Sequence, residues 1–187
     1  MNIRSLIGLA AVSLILACQS HSYQIDGFAR DFKDGDTICL VSENHIGQIM
    51  KQTVITNGTF HFTGETDSVC LCDAYLKHDP TSRVSFFLEA GHIVLELHQH
   101  PVLSRVSGTY INNSWQQLAD SVSYLSQDMI RILQNPSQDA SEHAGNVQIV
   151  DSLHTRMVSC ILNTARRNRD NPLGQYINEN YKAPEFR

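Results

Sequence analysis

What most constrains this chain is a change of hydrophobic period at Gly108. From Tyr23 to Gly108 apolar residues come in short alternating runs, and after Gly108 they recur every three or four residues. A period of two sends side chains to opposite faces of a strand, whereas a period near 3.6 gathers them on one helical stripe. The change divides the chain into a β region over residues 23–110 and a helical region over residues 111–187.

The β segments are "YQIDGFA", "DTICLVS", "QIMKQTVI", "TFHFTG", "SVCLCDAYL", "RVSFFLEA" and "HIVLELHQ", separated by turn residues. Asn57-Gly58 both accept positive φ, as a two-residue type I′ hairpin requires. That turn predicts a register pairing Ile55 with Phe60 and Thr53 with Phe62, with Val54 and His61 on the opposite face. Asp34-Gly35 and the "EAGH" of residues 89–92 mark further reversals. The carboxylates Asp34 and Asp36 fall in such a turn, where solvation accounts for them. The expected fold is mainly β with α: an antiparallel β-sandwich of seven to eight strands followed by a C-terminal helical hairpin.

In the helical region Trp115, Leu118, Val122, Leu125, Met129 and Ile132 share one stripe. Asn112, Asn113 or Ser114 is expected to cap this helix and Asn135-Pro136 to end it. After the polar stretch "SQDASEHAG", a second helix is expected from about Asn146 to Asn168, with Val147, Val150, Leu153, Met157 and Ile161 facing inward. Asn171-Pro172 stops it and opens a short third helix, "PLGQYINEN". The basic run "ARRNRD" at residues 165–170 falls late in the second helix, where it complements the helix dipole. The stripes are expected to pack on each other or on the sandwich, with a partner protein as the alternative occupant.

Residues 1–17 carry one charge, Arg4, ahead of the apolar run "LIGLAAVSLILA". That is a signal-peptide pattern, shorter than the roughly 20 apolar residues a membrane span needs. The run closes on Ile15-Leu16-Ala17-Cys18, which resembles the lipobox of bacterial lipoproteins, although Ile15 and bulky Leu16 depart from the commonest residues. The resemblance implies cleavage before Cys18 and a diacylglycerol and palmitate-type modification of its thiol. The alternative is an ordinary signal peptide cut elsewhere. Residues 18–22 would then be a lipidated cysteine and tether; the four after Cys18 reach at most about 14 Å, which keeps the body close to the bilayer. Gln19, where aspartate would retain an enterobacterial lipoprotein at the inner membrane, favours an outer-membrane anchor on the periplasmic face.

The chain carries 14 basic and 19 acidic residues, a net charge of −5, and removal of Arg4 makes the remainder more acidic still. Without a basic stripe, nucleic-acid binding and electrostatic attachment to anionic lipid are not expected. Beyond Cys18 stand Cys39, Cys70, Cys72 and Cys160, with no Cys-x-x-Cys among them. An exported chain meets oxidising conditions, so disulfides are permitted. Cys70 and Cys72 share one strand face at a span that strains a mutual bridge; a Cys39 bridge to either, or small buried thiols, are the other readings.

Candidate metal ligands lie in "HIVLELHQHP", where strand alternation puts His92, Glu96, His98 and His100 on one face. His98-x-His100 has the spacing by which strands present imidazoles to zinc or copper. A third ligand, His61 or Cys70, would have to come from another strand, and a solvated strand face accounts for the pattern equally well. No nucleophile elbow, phosphate loop or dinucleotide glycine pattern is present. Neither a metal, a cofactor nor a catalytic residue is therefore assigned. The enzyme reading through His98/His100 or Cys70/Cys72 stands as the alternative to a non-catalytic binding domain.

Four stretches carry a family resemblance: "IDGFARDFKDGDTICL" (25–40), "NGTFHFTGET" (57–66), "FFLEAGHIVLEL" (86–97) and "VSGTYINNSW" (106–115). Together they resemble the N-terminal β-domain, of unassigned function, in Bacteroidetes lipoproteins related to thiol–disulfide oxidoreductases. There the β-domain precedes a helical linker and a thioredoxin-like domain. This chain ends at "YKAPEFR", where such relatives continue, so no redox residue carries over. The resemblance implies an accessory domain that binds an envelope partner or ligand, through the helical region in the first instance.

Overall fold

In "SYQIDGF" every second residue is apolar or small, and Tyr23, Ile25 and Gly27 all turn inward while Gln24 and Phe28 face out. This is strand β1 (Ser22–Phe28) of a computed structural model that describes residues 21–43, 48–135 and 139–181. The leader, Cys18 and Gln19 lie outside the described residues. The other strands are β2 (Thr37–Ser42), β3 (Ile49–Val54), β4 (Thr59–Glu65), β5 (Cys70–Leu76), β6 (Asp79–Leu88), β7 (Gly91–Glu96) and β8 (Arg105–Ser107). Helices α1 (Tyr110–Gln134), α2 (Ala140–Arg167) and α3 (Pro172–Asn180) follow. The strands form two four-stranded sheets, ordered β4-β1-β7-β8 (sheet 1) and β3-β2-β5-β6 (sheet 2). The expected sandwich with a following helical hairpin is what the chain forms.

One pairing departs from the antiparallel expectation. β1 and β7 run parallel, Tyr23 beside Gly91 and Phe28 beside Glu96. The chain leaves sheet 1 twice, for β2–β3 and for β5–β6, and returns to the far side of β1 running in β1's direction.

The Asn57-Gly58 turn forms as expected, with φ of 51° and 69°. Its predicted register does not. Only Thr56 and Thr59 pair across it; β3 then joins β2 and β4 joins β1. Phe60 and Phe62 therefore lie opposite Gly27 and Ile25, and Thr53 opposite Ile38. Both aromatic rings gain more cover between the sheets than beside a hairpin partner. Gly27 permits this, since a Cβ there would lie 2.1 Å from the Phe60 ring. The main core joins Ile25, Phe60, Ile93 and Leu95 of sheet 1 to Ile38, Leu40, Leu76, Phe86 and Leu88 of sheet 2.

A second core lies outside sheet 2. Leu71 and Phe87 point away from the sandwich and meet Ile111, Leu118, Ala165, Leu173 and Ile177 of the helices. Phe87, Trp115 and Tyr176 stand edge to face with one another, with centroids 5.8–6.0 Å apart. Gly108, at φ 111°, turns the chain from β8 into α1, and a Cβ on it would lie 2.3 Å from the His92 carbonyl oxygen.

The start of α1 closes one side of the sandwich. β6 and β8 are edge strands, and unpaired edge groups invite pairing with another chain. Asn112, fully buried, accepts the Phe87 N–H and donates to the Phe87 carbonyl, both at 2.8 Å. Trp115 Nε1 donates to the Ser85 carbonyl at 3.0 Å, and Gln116 accepts the Val106 N–H at 2.8 Å. Arg105 and Asp120 complete the clamp through two bonds of 2.9 and 2.7 Å. On the opposite side the β3 and β4 edges are linked by the Asn57-Gly58 turn and by Lys51 Nζ donating to the Thr63 carbonyl.

The helix termini correct three expectations. Thr109 caps α1, its hydroxyl accepting the Asn112 N–H, rather than Asn112, Asn113 or Ser114. Asn112 is spent on β6 instead. α2 starts at Ala140, earlier than Asn146, because Asp139 accepts the N–H groups of Ser141 and Glu142. Val147, expected to face inward, is exposed. Asn171 caps α3 as expected, and Arg166 and Arg167 sit in the last turn of α2.

The direction of α1 fixes the polarity of the molecule. Ser22, Glu65, Gly91 and Thr109 gather at one end. From there α1 climbs along β6 and β8, reaching Arg105, beside Glu96 at the end of β7, with Asp120. The rest of α1, to Gln134, extends about 21 Å further at 1.5 Å per residue. The far end of the α1–α2 hairpin thus points towards the end of the sandwich opposite the one where β1 begins.

Candidate functional site

The solvent face of sheet 1 assembles a polar cluster from three strands. β1 sits between β4 and β7, so outward residues of all three become neighbours. Asp26 lies between two imidazoles: its Oδ1 is 2.8 Å from His61 Nδ1, and its Oδ2 is 2.6 Å from His92 Nε2. Gln24 Nε2 donates to both carboxylate oxygens at 3.2 and 3.1 Å. These hydrogen bonds, His61 first and then His92, hold the Asp26 carboxyl at about 2, below its ordinary 3.8. Asp26 therefore stays ionised and accepts from each ring. In its neutral form each ring that donates to Asp26 carries its proton at His61 Nδ1 or His92 Nε2 and presents His61 Nε2 or His92 Nδ1 as a lone pair. The cluster can hold and exchange protons or offer oriented imidazole nitrogens to a ligand.

Sequence reasoning singled out His61 and His92 and missed Asp26, which joins them. The missing signal was tertiary. The neighbours of Asp26 follow from β1 lying between two strands distant in sequence.

The four-residue set His92, Glu96, His98 and His100 does not converge. His92 and Glu96 share the outer face of β7, as alternation predicts, but the strand ends at Glu96. His98 Nδ1 meets Asp31 Oδ2 at 2.9 Å, which draws the Asp31 carboxyl below its ordinary range, and its N–H donates to Ser104 Oγ. His100 precedes a cis peptide to Pro101 and donates its N–H to Ser82 Oγ. Among the described residues, no group of three or more His, Cys, Asp or Glu is placed to hold a metal ion.

Cys39, Cys70, Cys72 and Cys160 are free thiols. Cys70 and Cys72 share the inner face of β5, with sulfurs 3.7 Å apart, as their spacing predicts. The Cys39 bridge does not form: Cys39 stands opposite Tyr75 and Cys72 opposite Ser42, which places the two cysteines on different faces. The neighbouring Cys70 thiol, and then burial, push the Cys72 thiol upward, making it a poor source of thiolate. Asp34 and Asp36 serve their turns, accepting the N–H groups of Gly58 and Lys33.

The fold defines a class first: a two-sheet sandwich closed by a helix, with polar chemistry on one open face. Within that class, residues 23–115 match a protein family described as a domain of unknown function, DUF4369. The match takes in all eight strands and ends at Trp115, so it includes Asn112 and Trp115, which close the β6 edge. No curated protein matches the chain. No described helix is long and apolar enough to cross a membrane.

Proposed function

We propose that this chain is a lipid-anchored envelope lipoprotein, acylated at Cys18 and held on the periplasmic face of the outer membrane. Its β-domain is non-catalytic and carries the helical hairpin to a partner protein. The lipobox supports the anchor, and the resemblance to Bacteroidetes lipoproteins of thiol–disulfide oxidoreductase kinship supports the setting.

The observation that carries the partner-binding reading is the far end of the hairpin. Leu133 and Val147, 63% and 47% exposed, line a cleft of about 260 Å³ there with Ile132 and Val150, and Ile130 and Ile149 are each 50% exposed on the same stretches of helix. Clustered apolar exposure of this kind marks interaction surfaces. With the anchor joined to β1 near Ser22, the hairpin end faces away from the bilayer.

Two measurements test the reading. Intact mass spectrometry of protein extracted from its own membranes is expected to show an acylated chain starting at Cys18, and Cys18→Ala should move to the soluble fraction. A photo-crosslinking residue at position 133 is expected to capture a discrete partner in intact cells, while one at exposed Thr63 captures none. An unacylated chain would remove the anchor, and equal capture at both positions would remove the partner surface.

A further inference from the structure

Where the hairpin meets the sandwich, α1 and the end of α2 enclose a second groove, of about 540 Å³. It is separate from the apolar far end and independent of the anchor. Its floor is apolar, formed by buried Leu118 and half-buried Cys160. Its walls are polar, with amides, hydroxyls and one guanidinium. Asn113 spends its carbonyl oxygen on the Gly108 N–H, and Asn163 spends its own on Arg166. Both side chains are left with NH₂ donors. Arg167 is the only charged side chain lining the groove, and among the described residues it has no acidic partner. Tyr110, largely exposed, stands at the same end.

A groove of this size can seat a small molecule, and its mostly polar lining suits a polar one. The Asn113 and Asn163 amide donors beside Arg167 suit an occupant that bears acceptors. One guanidinium, with its fork of N–H groups, matches one carboxylate. The antiparallel helices set the carbonyl end of α2 beside the amide end of α1, so their dipoles oppose and Arg167 supplies the field.

We propose that this groove binds a small polar monocarboxylate, with Arg167 holding the carboxylate and Asn113 and Asn163 donating to its hydroxyl or carbonyl oxygens. The ligand would be a sugar acid or an N-acyl amino acid, which share that chemistry.

The test is NMR titration of the folded chain with galacturonate and N-acetylalanine, against galactose and N-acetylalanine amide as neutral counterparts. One or both acids are expected to shift the side-chain signals of Arg167, Asn113 and Asn163, with the neutral compounds silent; the acid that responds identifies the source. Arg167→Gln should weaken binding about tenfold or more, as loss of a charge-assisted pair does. Asn163→Leu should weaken it independently. Arg169→Gln, which removes the same charge from a residue paired with Asp170 outside the groove, should leave it unchanged. No response to either acid, an equal response to the neutral compounds, or Arg167→Gln binding like the parent would overturn the proposal.

Discussion

Between the two sheets Ile25, Leu40, Phe86, Ile93 and Leu95 are wholly covered, whereas along the hairpin Val122, Met129 and Ile132 stay half-exposed. Both regions have regular apolar patterns. The difference lies in what each pattern finds to pack against. A sheet offers a broad face, and a second sheet covers all of it. Two helices cover only the line along which they meet, and α2 is the main neighbour of α1. The root of the hairpin is therefore part of the sandwich's stability, and its far end is free for other uses.

The sharpest way to break this comparison is to truncate one apolar side chain in each region. Phe86→Ala, inside the sandwich, should cost about 3–5 kcal/mol in urea unfolding. Met129→Ala, in the far hairpin, should cost about 1 kcal/mol. Similar losses would show one continuous core. At the seam, Asn112→Ala should cost about 2–3 kcal/mol because it strands the N–H and carbonyl of Phe87. Light scattering should also rise as the β6 edge opens, and Asn112→Asp, which sets a buried carboxylate against the Phe87 carbonyl, should cost at least as much as Asn112→Ala.

The smallest effect concerns the face of sheet 1. Asp26 has a carboxyl held below its ordinary value, so its stabilisation is present above pH 4 and lost as pH falls towards 2. Solvent reaches this site, which limits the contribution to about 1 kcal/mol. Asp26→Asn should reduce the slope of the stability profile between pH 4 and pH 2.

Local chemistry was legible in the sequence. The alternating segments became strands, the Asn57-Gly58 turn formed, and the stripe from Trp115 to Ile132 lies on the face of α1 that meets its neighbours. What alternation could not say is which strands become neighbours. The hairpin register failed because Phe60 and Phe62 gain more from the space between sheets than from Ile55 and Thr53. The four-residue histidine set failed because β7 ends at Glu96, where Asp31 and Ser82 take over His98 and His100. Asp26 and Asn112 escaped notice for the same reason: each acts on strands far away in the chain. Nothing local separates Asn112, which holds β6, from Asn113 beside it.

The bonds from Asn112, Trp115 and Gln116 to the strand edges also set a timetable. Until α1 docks, both edges on this side of the sandwich lack their cover, and neighbouring copies still folding would be at their most adhesive. A chaperone that shields β strands would matter most for this short part of the protein's life.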